Sequence, residues 1–277
     1  KLEYQVEQDG ELGVEIDPTK IPDNEIWYTT SNGEIVWGVS DNAFDQQIIS
    51  NTYSNGKGII KLSGELKVVK RLAFDNPFNL KYLILPNSVE TIENQSFVGC
   101  ELDSLYIPKN LKQFTGAAFA AAKVNRFVGD SRVQNDGRFF VENDTLKIVS
   151  TIKEKELIIP GTIKVIGAQA LWMNNPNVIK VEVQEGVEVI DAYAFSGCKS
   201  LEYVYLPNSI ELQNSVFDYC DNIRKFYGPA EYVSSDGRTT YRYVPLIDNG
   251  LVIKELKFIS NIAKAGLTEY TVEDDVD

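Results

Sequence analysis

Catalytic chemistry is carried by a few residue types, and this chain is short of them. Its 277 residues contain no histidine and only three cysteines, Cys100, Cys198 and Cys220. Without histidine there is no Ser–His or Cys–His nucleophile pair and no imidazole metal ligand. Carboxylate pairs of the glycosidase kind need no histidine, so the 40 Asp and Glu residues leave that chemistry open. Asp41 and Asp45 in Ser-Asp-Asn-Ala-Phe-Asp-Gln could ligate calcium, but no calcium loop of the usual twelve residues surrounds them. Asp-Gly-Arg occurs at 136–138 and 236–238. It could be an adhesion tripeptide, but Asp-Gly is first a tight-turn signal, because glycine tolerates positive φ. The sequence therefore gives no reason to expect a catalytic site, a metal or a cofactor.

Binding chemistry is better supplied, with 14 tyrosines, and charge narrows the partner. Lys and Arg total 27, which leaves a formal net charge of −13. An acidic surface repels phosphate backbones, so nucleic acid is not an expected partner. No apolar run approaches the roughly 18–20 residues that cross a bilayer as a helix. The opening Lys-Leu-Glu-Tyr-Gln-Val-Glu is not a signal peptide, and would fit a mature or trimmed chain.

The elements that position these residues emerge when the chain is aligned with itself. Leu80–Cys100 and Leu201–Cys220 share one form: Leu-x-x-apolar-x-apolar-Pro-Asn-Ser-apolar, ending in Phe-x-x-Cys. Looser copies run over Ile59–Phe74, Leu102–Phe119, Leu157–Leu171 and Val178–Phe195. From the last apolar strand residue to the next apolar position is always four: Leu62 to Leu66, Leu85 to Val89, Ile107 to Leu111, Ile159 to Ile163, Val183 to Val187, Leu206 to Ile210. A step of eight then reaches Phe74, Phe97, Phe119, Leu171 and Phe195, and a step of seven reaches Phe217. Neighbouring copies lie 22 to 24 residues apart.

A unit of this kind has one apolar edge that it cannot bury alone, so stacked units share a continuous core. The expected fold is a leucine-rich-repeat solenoid with short parallel strands, one per ~23-residue repeat. Short helical or extended convex segments and inserted β-hairpins complete it. The phenylalanines should form a buried internal column. Each cysteine follows the column residue by three, which fits a small apolar core position. A disulfide or metal site is the competing reading, and Cys198–Cys220 is the one plausible pair because their repeats are adjacent.

Two insertions interrupt the period, each with Phe-x-Gly, then Asp-Gly-Arg, then an apolar stretch, and both read as hairpins. Asn32-Gly33 in Ile-Trp-Tyr-Thr-Thr-Ser-Asn-Gly marks a comparable place. One curved solenoid domain over 1–277 is expected: a cap and first hairpin at 1–57, repeats at 58–126 and 157–226, and hairpins at 127–156 and 227–258. Residues 259–277 would open a further repeat that stops short, so the parent polypeptide should continue or a neighbour should cover that edge.

The pattern resembles the BspA-like, or Treponema pallidum-type, leucine-rich repeats. Leu85–Ile92 (LPNSVETI), Ala192–Cys198 (AYAFSGC) and Leu206–Leu212 (LPNSIEL) carry the resemblance, and Asn24–Val36 looks like the opening cap segment of related bacterial proteins. Gln184 in place of Pro, Leu171 in place of Phe and the short step to Phe217 are departures. The resemblance implies a secreted or cell-surface bacterial protein, not an enzyme, used in adhesion or host contact. It supplies no catalytic residues.

The strand frame also places a face. With the Leu-x-x-apolar-x-apolar positions inward, the third and fifth residues point outward. They include Tyr82, Tyr106, Tyr203, Tyr205 and Tyr227. One reading is a ligand-binding stripe for a protein or a glycan, with Tyr203, Tyr205 and Tyr227 as one exposed cluster. The other is that tyrosine packs well across neighbouring strands. A monomer that binds protein or glycan is expected, with an architectural spacer as the alternative.

Overall fold

The computed structural model describes residue 17 and residues 20–151, 153–173, 175, 177–228, 231–233 and 240–242. Its contacts divide the chain into two units, residues 1–140 with 149–151, and residues 141–148 with 152–277. Both are built from parallel-strand β-solenoid coils, as the repeat requires.

The first unit holds β1 (Glu25–Thr30), β2 (Ile48–Ser54), β3 (Lys57–Leu62), β4 (Val68–Val69), β5 (Leu80–Ile84), β6 (Thr91–Ile92), β7 (Glu101–Leu102), β8 (Ser104–Tyr106), β9 (Lys123–Val124), β10 (Phe127–Val128) and β11 (Val133–Gln134). Successive Leu-x-x-apolar strands pair in parallel, with Leu83 opposite Leu105 and Leu105 opposite Phe127. Their inward side chains Leu80, Leu83, Leu105 and Phe127 are buried.

The first coil differs from the simple repeat. β1 lies between β3 and β5 and runs antiparallel to both. Two antiparallel steps restore direction, so β3 still runs the way β5 does. β1 earns its place by burying Ile26 and Tyr28, each 0% exposed, while Trp27 faces outward. On the opposite side of the coil nothing intervenes, and β4 pairs directly and in parallel with β6. The copy at Ile59–Phe74 is thus a true repeat, with a foreign strand wedged into one sheet.

The hairpin of this region turns at Asn55-Gly56 (φ 50° and 74°), which joins β2 to β3. Positive φ at both central residues suits the twist of the flanking strands. Asn32-Gly33 is only a turn. The buried Asn79 side chain holds this loop, donating to Asn32 Oδ1 (3.1 Å) and to the Ile35 carbonyl (3.0 Å). The Asp-Gly-Arg at 136–138 does reverse the chain: β11 pairs antiparallel with β12 (Phe139–Glu142) through Val133–Phe140 and Gln134–Phe139.

The second unit holds β13 (Thr145–Val149, its last residue in the first unit), β14 (Glu156–Ile159), β15 (Val165–Ile166), β16 (Lys180–Val183), β17 (Val189–Ile190), β18 (Tyr203–Tyr205), β19 (Glu211–Leu212), β20 (Lys225–Tyr227), β21 (Glu231–Val233) and β22 (Thr240–Arg242). Strands β14, β16, β18 and β20 form one parallel ladder. Strands β13, β15, β17 and β19 form another. β21 and β22 pair antiparallel, as a hairpin in the 227–258 insertion requires.

The column exists. Phe74, Phe97, Phe119, Phe195 and Phe217 are at most 1% exposed, and so is Leu171. In the first unit the Phe74–Phe97 and Phe97–Phe119 centroids lie 5.5 and 4.9 Å apart with nearly parallel planes. In the second, Phe195 and Phe217 lie 5.3 Å apart. Phe44 begins the first column, edge-on to Phe74 at 5.9 Å. Its signal was present, since Val36 precedes it by the same step of eight.

Little helix forms on the far side of the coils. Most coils instead place a left-handed residue two before and two after the column residue. Around Phe74 these are Leu72 and Asn76, around Phe97 Gln95 and Gly99, around Leu171 Gln169 and Met173, and around Phe217 Ser215 and Tyr219. The two tight bends bring the chain round in so few residues. The coil of Phe119 replaces the first bend by a 3-10 turn, Gly116–Phe119.

Candidate functional site

Parallel in-register pairing turns each outward strand position into a row across the coils. In the first unit, Val128, Tyr106, Ile84 and Trp27 form one such row. Ile84 is buried against Ile21, and Trp27 and Tyr106, both half-buried, pack on that pair. Burial pushes the Tyr106 hydroxyl above its usual pKa, and the nearby Asp130 carboxylate adds to this. Lys57 Nζ sits 3.1 Å from the centroid of the Trp27 ring, whose Nε1 donates to Glu25 Oε2 at 2.8 Å. Tyr82 lies in the next row, between Thr29 and Ser104, and is half-buried. Trp27 was not legible as part of this face, because its strand belongs to no repeat.

In the second unit one row reads Glu156, Lys180, Tyr203, Lys225, and its neighbour reads Ile158, Glu182, Tyr205, Tyr227. Tyr205 and Tyr227 stack, with centroids 4.6 Å apart and planes 20° apart. Lys180 Nζ lies 5.3 Å from the Tyr205 ring and reaches Glu156 and Glu182 at 3.5 and 3.8 Å. Tyr203 and Tyr205 are half-buried, and Ile158 at the row's start is exposed.

The exposed trio expected here is not what forms. Tyr227 is 3% exposed. The register that aligns it with Tyr205 also makes one ring cover the other. Contact with a partner would fall to Tyr203, Tyr205 and Ile158, around the clamped ammonium of Lys180.

The other candidates resolve into scaffold. All three cysteines are free and buried. Each thiol donates to the carbonyl of the preceding coil's column residue: Cys100 to Phe74 (3.8 Å), Cys198 to Leu171 (3.5 Å) and Cys220 to Phe195 (3.1 Å). Burial raises all three thiol pKa values, that of Cys220 to about 12. A thiol so held is neither nucleophile nor ligand. Asp45 accepts from the Lys67 and Val68 amides at 3.2–3.3 Å, capping the start of β4, while Asp41 is exposed. Among the described residues no group of three His, Cys, Asp or Glu could hold a metal. Gly137 is buried in its turn, against Arg126 and the Phe127 carbonyl. Asp236-Gly237-Arg238 and residues 259–277 lie outside the described residues.

Arg132 was not singled out from the sequence. It donates to the carbonyls of Pro108 (2.9 Å), Lys109 (3.0 Å) and Leu111 (3.2 Å), and pairs with Asp130 at 2.9 Å. It ties the start of the insertion to the coil before it.

One leucine-rich coil per repeat, stacked on a phenylalanine column and bearing outward aromatic rows, defines a leucine-rich-repeat solenoid. The chain belongs to the BspA type leucine-rich repeat family, whose model matches residues 43–154 and 150–236 in six copies. It is similar to the crystal structure of a leucine-rich cell surface protein from Faecalibacterium prausnitzii, with 20% identity over 59% of this chain and 45% of that one and a TM-score of 0.49. A leucine-rich repeat protein from Eubacterium ventriosum matches at 18% identity over 52% and 41%, with a TM-score of 0.42. The pneumococcal vaccine antigen PcpA matches at 17% identity over 65% and 67%, with a TM-score of 0.29. The chain spans less than half the length of the first two. No curated protein matches it. No described helix is long and apolar enough to cross a membrane.

Proposed function

We propose that this protein is a non-catalytic binding or adhesion module of a bacterial surface, recognising a protein or a glycan through the outward rows of its strand sheets. The observation that carries this is the group of Tyr203 and Tyr205 beside Lys180, with exposed Ile158 at the end of the same sheet face. Half-exposed tyrosine offers a flat apolar surface with a polar tip, which suits both protein hot spots and sugar faces. Tyr227 supports Tyr205 from behind by stacking, and Tyr82 and Tyr106 form the corresponding face of the first unit. The bacterial-surface setting and the non-catalytic role rest on family membership.

The test is capture on printed arrays of purified proteins and glycans, by the intact chain and by a Tyr203→Ala, Tyr205→Ala variant. Specific capture by the intact chain alone, at an unchanged thermal midpoint, supports the reading. Arrays empty for both favour a spacer.

A further inference from the structure

We infer that the first unit carries a second binding site, for a neutral carbohydrate, in the groove between the coils of Phe97 and Phe119 on the side opposite the tyrosines. The groove has a volume of about 400 Å³ and is lined by Arg71, Glu93, Asn94 and Gln113 around Ile92 and Phe114. That volume lies near the lower end of small-molecule sites, which run from about 300 to 1,000 Å³.

It exists because one coil breaks the repeat. Five residues before the column residue, the other coils carry an aliphatic side chain, buried at Val69, Ile92, Ile166 and Ile190 and half-buried at Leu212. The coil of Phe119 carries Phe114 there, and two residues on it has Gly116, where the neighbouring coils have Arg71 and Asn94. The Phe114 ring stands edge-on to Phe119 (5.7 Å, 85°) and remains half-buried, presenting part of its surface to the groove.

The polar lining fits hydroxyl groups. Asn94 Oδ1 accepts from Thr115 Oγ at 2.8 Å, which orients its NH₂ group and leaves it able to donate. The Gln113 side-chain amide has no hydrogen-bond partner among the described residues, its backbone amide donating to the Glu90 carbonyl (3.0 Å). Glu93 accepts from the Arg71 amide through one oxygen (2.8 Å), and the Arg71 Nε donates to Gln95 (2.9 Å). Each therefore keeps further polar atoms for a ligand. Vicinal hydroxyls can donate to a carboxylate and accept from an amide at once, and the C–H face of a sugar ring stacks on an aromatic ring. One guanidinium and one carboxylate cancel, which favours a neutral sugar over an acidic one.

The test is an NMR titration of the full chain with methyl glycosides of neutral hexoses and N-acetylhexosamines, with sialyllactose and inorganic phosphate as charged probes. At least one neutral glycoside should bind and shift the Asn94 and Gln113 side-chain amide signals. Gln113→Ala and Asn94→Ala should each weaken it tenfold or more. Phe114→Ile, which restores the repeat residue, should abolish binding without lowering the thermal midpoint. Phe78→Ala, which removes an exposed ring outside the groove lining, should leave binding intact. No neutral glycoside bound at millimolar concentration, binding of charged probes alone, or full binding by Phe114→Ile or Gln113→Ala would overturn the inference.

Discussion

Phe97 and Phe119 stack with their ring centroids 4.9 Å apart and their planes 15° from parallel, although 22 residues separate them. The next ring of the column, Phe74, lies on the other side of Phe97 at 5.5 Å. A residue covered on both sides by neighbouring coils has no solvent-facing direction in which its removal could be relieved. Phe97→Ala should cost about 3–5 kcal/mol, as large core truncations do. Chemical denaturation measures this, and an unchanged midpoint would show that the register is wrong.

The left-handed bends give a prediction of opposite sign. Tyr219 sits at φ 59° with its side chain 71% exposed, so its backbone strain is offset by little packing. The coils of Phe97 and Phe195 put Gly99 and Gly197 at the equivalent position. Tyr219→Gly should stabilise the protein by about 0.5–1 kcal/mol, the relief of left-handed strain outweighing the added freedom of the unfolded chain. A fall in the thermal midpoint would contradict it.

Gly161 tests how closely adjacent coils approach. A Cβ there would collide with the Glu185 carbonyl oxygen, on the next coil, and that atom is backbone and cannot swing away. Gly161→Ala should destabilise by about 1–3 kcal/mol. Equal stability of variant and parent in urea would mean that these two coils are further apart.

The buried thiols predict a pH dependence. Unfolded cysteine ionises near ~8.5, whereas burial keeps Cys220 protonated to about 12 and raises Cys100 and Cys198 as well. Between those values the unfolded chain holds fewer protons than the folded one, so stability falls as pH rises. Each thiol contributes a slope of up to about 1.4 kcal/mol per pH unit. This stability is fully present below ~8.5 and is lost progressively above it. Cys220→Ala should flatten the decline measured between pH 8 and 10. An identical slope in the variant would contradict the burial. Native thiols should also resist alkylation that denatured protein undergoes rapidly.

Much of this fold could be read from spacing, because a solenoid repeats one local solution. The steps of four and eight located Phe74, Phe97, Phe119, Leu171 and Phe195, and the shorter step of seven located Phe217. What spacing could not show was pairing made by a segment outside the repeat. Strand β1 inserts between β3 and β5 because Ile26 and Tyr28 complete the core there, and no local signal announces a partner so distant in sequence. The first unit offers two Asn-Gly pairs as hairpin turns, Asn32-Gly33 and Asn55-Gly56, and of these it is Asn55-Gly56 that has strands on both sides pairing with each other. The tyrosine rows were legible as directions, since alternation fixes which side chains share a face. The burial of Tyr227 was not, because ring-on-ring stacking between coils depends on the register of two strands at once. The groove at Phe114 lay hidden for the converse reason: it arises where one coil departs from the pattern that revealed the rest.

Under the proposed function, the outward face of strands β14, β16 and β18 is the recognition surface. The most direct measurement is binding of a ligand taken from the protein and glycan arrays, followed by calorimetry with the intact chain and with the Tyr203→Ala, Tyr205→Ala variant. The variant should lose at least tenfold in affinity while both chains keep the same unfolding midpoint. Equal affinity in the two chains would contradict a recognition role for this face.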